Sequence, residues 1–217
     1  MKYIIVGNSV YAHMLYEYVE EMEKGSVQAF TVEDKYISKP EMLGLPVISY
    51  EEIENYYSPE ETKLFLAVGY TQMNEIKEKL FNMYKAKGYE FASYIHPSTV
   101  IAQDAELGEG NIFFEGSIVQ RGCKIGSGNV FFVRTTIAHD CTIGDFNSFT
   151  CVSLAGRVTV KNKCFFGMGS IVSEDVVIEE QAFVGANAYI ASNMEKGRVA
   201  LGEKAKIIDR EISKRIL

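Results

Sequence analysis

The sequence predicts two joined folds: a small α/β domain built on a parallel sheet, then a parallel β-helix closed by a short C-terminal helix. Three observations carry this. Strand and helix patterns alternate through residues 1–94, an apolar residue recurs at every sixth position from Ile95 to Ile190, and small residues recur four positions after those markers. The expected boundaries are 1–94, 95–202 and 203–217.

Lys2–Val6 reads as a buried strand, followed by Gly7-Asn8-Ser9-Val10-Tyr11-Ala12 and an amphipathic helix to about Glu21. A second strand, Val27–Val32, ends at Glu33-Asp34. Leu45–Ile48 reads as a short third strand, although Pro46 belongs at a sheet edge, and a helix starts near Tyr50. Lys63–Val68 is the next strand; Gly69 opens a helix to about Lys85, and Glu90–Tyr94 leads into the solenoid. This alternation gives a small Rossmann-like parallel sheet with helices on its faces. Such sheets take ligands beyond the C-terminal ends of their strands, here near Gly7, Glu33 and Gly69. Of the G-x-G-x-x-G fingerprint only Gly7 is kept, with Ser9 and Ala12 in the other two places. Gly7 fits either a tight turn or a loop that aims helix N–H groups at a phosphate. Glu33 and Asp34 fit ribose hydroxyls or a solvated turn.

The repeat runs Ile95, Ile101, Leu107, Phe113, Val119, Ile125, Phe131, Ile137, Ile143 and Phe149. It then takes one five-residue step to Leu154 and continues through Val160, Phe166, Val172, Ile178, Val184 and Ile190. A short period sustained this long marks a solenoid. Four residues after the markers come Thr99, Ala105, Asn111, Ser117, Cys123, Asn129, Thr135, Cys141, Asn147 and Ser153, then Val158, Cys164, Ser170, Val176, Ala182 and Ala188. Six residues make one short strand and a corner, and three such units close a triangular coil. Large residues fill the prism, small ones its corners, and coils stack about 4.8 Å apart.

Composition bounds the chemistry. The formal net charge is −7 with no basic stripe, which argues against nucleic acid as a partner. Met1–Val6 runs straight into a strand and no apolar run is long enough to span a bilayer, so a cytoplasmic protein without membrane insertion is expected. Cys123 and Cys141 lie eighteen residues apart, within conceivable disulfide reach on adjacent coils. The preferred reading keeps three of the four cysteines, Cys123, Cys141 and Cys164, as reduced corner fillers. No pair has the spacing of a zinc site, so no metal is expected.

Of three histidines, His13 falls in the first helix and His96 at the solenoid's start. His139 lies two residues after Ile137, at a coil corner, and Gly156 lies two after Leu154. Counting through the five-residue step puts both on one prism edge, a coil apart. A histidine beside a glycine N–H suits a general base next to an oxyanion donor. It equally suits a corner residue with a local hydrogen bond. Cys141, two residues from His139, falls in the inward register, which argues against a covalent cysteine route.

The pattern resembles the left-handed hexapeptide-repeat proteins, and within them the bacterial nucleotide-aminosugar N-acetyltransferases and sialic-acid O-acetyltransferases of surface-glycan synthesis. The matching segments are Ile137–Asp145, Leu154-Ala155-Gly156-Arg157-Val158-Thr159-Val160 and Cys164-Phe165-Phe166-Gly167-Met168. The resemblance implies a left-handed coil, acetyl-CoA as co-substrate, and a homotrimer with active sites between subunits. It implies that His139 takes the proton from the acceptor amine or hydroxyl, supported by Asp140, and that the Gly156 amide steadies the thioester oxygen. It also implies that the backbone near Met168 and Ala186 lines the pantetheine arm. The same resemblance places Gly202 and Lys204, in a tail similar to the family's G-x-P-A-K, near the adenine end. Gly7, Ser9, Tyr11, Glu33, Asp34, Gly69 and Ser148 are the expected contacts to the nucleotide-linked sugar. Lys204 departs from the proline of that tail, and the other departures fall on the sugar side: Tyr11 replaces the histidine of the G-x-x-G-H-G loop, Tyr70 a polar residue, and Ser148 a second histidine found in some members. The expected activity is N-acetylation of a nucleotide-linked amino sugar. Sugar O-acetylation and a non-catalytic binding scaffold stay open as alternatives, while a zinc-dependent hydratase lacks the clustered histidines it needs.

Overall fold

The structure, a computed structural model, describes residues 1–205. In the first part, β1 (Lys2–Val6), α1 (Val10–Met22), β2 (Val27–Val32), β3 (Glu41–Met42), β4 (Leu45–Ser49), α2 (Ile53–Tyr56), β5 (Thr62–Leu66), α3 (Glu75–Ala86) and β6 (Glu90–Phe91) follow in order. They form one sheet in the order β3-β4-β2-β1-β5-β6, parallel except for the β3–β4 hairpin. The hairpin accommodates Pro46 beside the edge strand, where a missing N–H is tolerated.

Two helix boundaries differ from the sequence expectation. The helix expected near Tyr50 is a single turn, Ile53–Tyr56. The third helix starts at Glu75 rather than Gly69, because Gln72, Met73 and Asn74 all take left-handed backbone angles (φ 51°, 48° and 63°). No residue pattern announces that turn.

From Tyr94 onward the chain winds into a three-faced parallel β-helix of two-residue strands. The first face stacks seven strands, from Tyr94–Ile95 to Val199–Ala200; the second stacks six, from Val100–Ile101 to Tyr189–Ile190; the third stacks five, from Glu106–Leu107 to Val177–Ile178. The second residue of each strand points inward, so the hexad markers form the core. Inside the first face Phe113, Phe131, Phe149 and Phe166 stack with centroids 4.3, 5.0 and 4.8 Å apart. Ile95, at the open end of the prism, stays 37 % exposed.

The corner register holds with one correction. Across the five-residue step Val152, not Ser153, is the buried corner residue, and Ser153 faces out. The shortened unit loses its residue from the corner: elsewhere the third residue after the marker is left-handed (Arg134, Asp140, Phe146), but here it is Cys151, the second. Asn111, Asn129 and Asn147 form a buried ladder. Each Oδ1 accepts the next coil's backbone N–H at 2.7–2.9 Å, ending on Cys164.

The two parts share a seam. Tyr11 and Tyr18 of α1 pack on Phe114 beside the first face, and Phe81 of α3 meets Phe146 at 5.2 Å. Lys163 bridges Glu78 of α3 and Glu180 at 2.8 and 3.1 Å. Residues 203–205 are without regular structure, and the rest of the expected C-terminal helix, 206–217, lies outside the described residues.

Candidate active site

The second–third edge of the prism carries His139. The strand Thr136–Ile137 delivers it, and Asp140, at φ 57°, turns the chain immediately after it. The His139 N–H donates to Gln120 Oε1 at 3.1 Å, and its carbonyl accepts Arg157 N at 2.9 Å, which fixes the residue between the coils on either side. Nδ1 lies 2.8 Å from Asp140 Oδ2. A carboxylate only accepts, so Nδ1 carries the proton and Nε2 presents its lone pair.

The Cε1–Nε2 edge of the ring lies against Gly156. A Cβ at Gly156 would sit 2.6 Å from both Cε1 and Nε2 of the imidazole, so only glycine leaves room for the ring. The Gly156 N–H has no acceptor among the described residues. Beside it Arg157 holds Asp175 through Nε and Nη2 at 2.7 and 2.9 Å, bracing the next corner. A groove of about 360 Å³ opens from His139 onto the second face, lined by Val100, Ala102, Ile118, Val119, Gln120 and Arg121. The groove and the Gly156 backbone thus both adjoin the His139 ring.

Met168, Ala186 and Gly202 form a separate set on the first–second edge. Gly167, Ala186 and Gly202 stack on consecutive coils: a Cβ on Gly167 would lie 2.6 Å from the Ala186 nitrogen, and one on Gly202 would collide with the Ala186 carbonyl oxygen. Met168 is 62 % exposed there. Lys204 follows, exposed. Within one chain this edge and the His139 edge are separated by the whole second face.

The third set crowns the α/β sheet. Gly7, at φ 123°, presses on the end of β5, where any Cβ would collide with the Ala67 carbonyl oxygen; close packing already requires the glycine. Ser9 caps α1 in extended conformation without a side-chain bond, leaving the helix N-terminus open. Asn8 Nδ2 donates to the Tyr36 carbonyl at 2.9 Å, closing the loop onto the turn that begins at Asp34. Glu33 pairs with Lys35 at 2.8 Å. Gly69 faces open space.

Tyr11 and Ser148 lie apart from these. The Tyr11 ring packs on Phe114 and Phe132, and its buried hydroxyl has no partner among the described residues; burial raises its pKa. Ser148 is 3 % exposed on the seam, donating to Asn74 Oδ1 at 3.0 Å and accepting from Lys77 Nζ at 3.2 Å. Lys77 is fully buried without a carboxylate partner among the described residues, and burial lowers its pKa to about 7. Sequence reasoning missed Gln120, Asn74 and Lys77. The one available signal was a lysine on the face of α3 that carries Leu80, Phe81 and Tyr84.

The remaining histidines are occupied elsewhere: His13 Nε2 faces Glu17 at 3.3 Å and His96 Nδ1 faces Ser98 Oγ at 2.8 Å. Among the described residues no group of three His, Cys, Asp or Glu side chains is placed to hold a metal ion, and no helix is long and apolar enough to cross a membrane. All four cysteines are free thiols, three of them buried. The neighbouring Cys123 thiol and burial hold Cys141 well above the ordinary thiol range, far from a thiolate nucleophile.

No protein-family model and no curated protein sequence matches the chain. Solved structures do. The acetyltransferase domain of PglB from Neisseria gonorrhoeae, in complex with acetyl coenzyme A, is 23% identical, with a TM-score of 0.81 over 95% of this chain and 98% of that one. PerB from Caulobacter crescentus, in complex with CoA and GDP-perosamine, is 25% identical, with a TM-score of 0.83 over 93% and 94%. WeeI from Acinetobacter baumannii is 22% identical, with a TM-score of 0.82 over 96% and 100%. The α/β domain followed by a β-helix is therefore a shared fold along nearly the whole chain.

Proposed function

We propose that the chain is an acetyl-CoA-dependent N-acetyltransferase that modifies a nucleotide-linked amino sugar for surface-glycan synthesis in the cytoplasm. The observation that carries this is His139: Nδ1 fixed by Asp140, Nε2 free, and the ring laid over a glycine whose N–H is unused. The solved structures of the same fold hold acetyl coenzyme A in one case and CoA with GDP-perosamine in another.

The transfer is direct. The acceptor nitrogen attacks the thioester carbon while Nε2 of His139 takes its proton. The Gly156 N–H donates to the oxygen that gains charge, and Asp140 steadies the imidazolium. Collapse of the tetrahedral adduct breaks the carbon–sulfur bond, and the imidazolium returns its proton to the departing thiolate, giving an amide and free CoA.

A trimer completes the site. On the outer side of the second face Val100 and Ile118 at one end and Ile171 and Tyr189 at the other are 61, 39, 48 and 66 % exposed, with Thr136 and Ser153 between them, and the face is flanked by the two functional edges. Three copies turning this face to a common axis bring one chain's His139 edge against the next chain's Met168 edge, with the pantetheine arm between them. The nucleotide then rests at the loops around Gly7, Glu33, Asp34 and Gly69.

The test is turnover of acetyl-CoA against a panel of UDP-, GDP-, dTDP- and CMP-linked amino sugars, read by thiol release. An alkali-stable acetylated product is expected. A product cleaved by mild alkali is an ester and contradicts N-transfer.

A further inference from the structure

The nucleotide end and the transferring end of the proposed reaction sit on different parts of the chain, and one surface joins them. The chain leaving β5 passes through Gly69 to Tyr70 beyond the C-terminal edge of the α/β sheet, where such sheets take ligands. The Tyr70 ring lies against Phe165, centroids 4.4 Å apart and tilted 47°, and Phe165 stacks on Phe183 at 4.9 Å and 17°. The strand Phe165–Phe166 leads directly into Gly167 and Met168 on the first–second edge. A molecule held by its nucleotide near Gly69 and acetylated at that edge must cross this aromatic surface.

Tyr70 is 55 % exposed, yet its backbone is fixed. Its carbonyl accepts the Asn74 N–H at 3.3 Å, and fully buried Asn74 donates through Nδ2 to the Cys164 carbonyl at 3.4 Å. Three consecutive left-handed residues, Gln72 to Asn74, make the turn that holds it there. Strain of this kind persists where the surroundings over-determine it, which is common at ligand sites.

We infer that Tyr70, backed by Phe165, is the wall on which the acceptor sugar lies, and that it is a specificity-determining residue of the reaction proposed above, on which this inference rests. One face of a pyranose presents C–H groups, which are drawn to the electron-rich face of an aromatic ring. The wall offers little to hydroxyls and favours acceptors with an apolar face.

Calorimetric titration without acetyl-CoA tests this, comparing bare nucleoside diphosphates with their amino-sugar conjugates, GDP with GDP-perosamine among them. The wild type binds the conjugate of its preferred nucleotide more tightly than the bare nucleotide. Tyr70→Ala weakens conjugate binding by about 3- to 10-fold while leaving bare nucleotide unchanged, and Tyr70→Phe restores it. In turnover, Tyr70→Ala raises KM for the acceptor and leaves KM for acetyl-CoA and kcat unchanged. Equal weakening of bare nucleotide assigns the ring to the base, a raised KM for acetyl-CoA assigns it to the donor, and either result overturns the inference. So does an unchanged Tyr70→Ala, or a wild type that binds no conjugate more tightly than its nucleotide. If the binding pattern holds while no thiol is released, the sugar wall stands and the transferase reading fails.

Discussion

The imidazole of His139 occupies the space that a side chain at Gly156 would need, one coil further along the prism. Replacing Gly156 by alanine therefore forces the ring off its position while the rest of the edge is untouched. A displacement of about 1 Å at a reacting group lowers kcat by about a hundredfold. Thiol-release kinetics and thermal unfolding together check this: kcat falls and the melting temperature stays close to wild type. An unchanged kcat in a folded variant contradicts the placement.

Ile137 and Ile143 are 1 % and 2 % exposed inside the prism. Truncation of either to alanine is expected to destabilise by about 2–5 kcal/mol. Lys124→Ala, on the exposed side of the third face, changes stability by less than about 0.5 kcal/mol. Chemical denaturation of the three variants separates the inward from the outward register.

Asn129 accepts both the backbone N–H and the side-chain N–H of Asn147, at 2.8 and 3.0 Å, inside the prism. Asn129→Ala leaves those buried donors without an acceptor, at about 1–3 kcal/mol for each group. The same denaturation measurement applies, and a loss below about 0.5 kcal/mol would show that the ladder contributes little.

Lys77 gives the stability a pH dependence. Burial holds its folded pKa to about 7, against about 10.4 in an unfolded chain. The groups nearest in sequence on α3 do not offset this, since Glu75 receives Gln181 Nε2 and Glu78 pairs with Lys163. Between pH 7 and 10 the unfolded chain holds a proton that the folded chain has released. This residue's contribution therefore raises stability with pH through that window, by up to about 1.4 kcal/mol per unit, and is flat below it. Lys77→Met removes the slope. Unfolding free energies of wild type and variant at pH 7, 8.5 and 10 decide it; parallel curves contradict the burial of a neutral amine.

Much of this was legible because a narrow prism enforces one large inward residue per side. Counting from Ile137 to Leu154 placed His139 and Gly156 on one edge without any structure. The corners were less legible: the left-handed position takes glycine at Gly110, Gly116, Gly122 and Gly128 but Arg134, Phe146 and Lys163 further along, so no residue type marks it. That is why Ser153 was read in the place that Val152 fills. The turn before α3 was hidden because its side chains continue a helical pattern. Gln120, Lys77 and Ser148 depend on contacts between coils or between the two parts, which periodicity along the chain does not encode.

The most direct test of the central claim is the rate of acetyl transfer by His139→Ala at saturating acetyl-CoA and acceptor. With the general base gone, kcat is expected to fall by about 10²–10⁴-fold while substrate binding and melting temperature hold. A near wild-type kcat would mean that the proton leaves by another route and that His139 is only a corner residue.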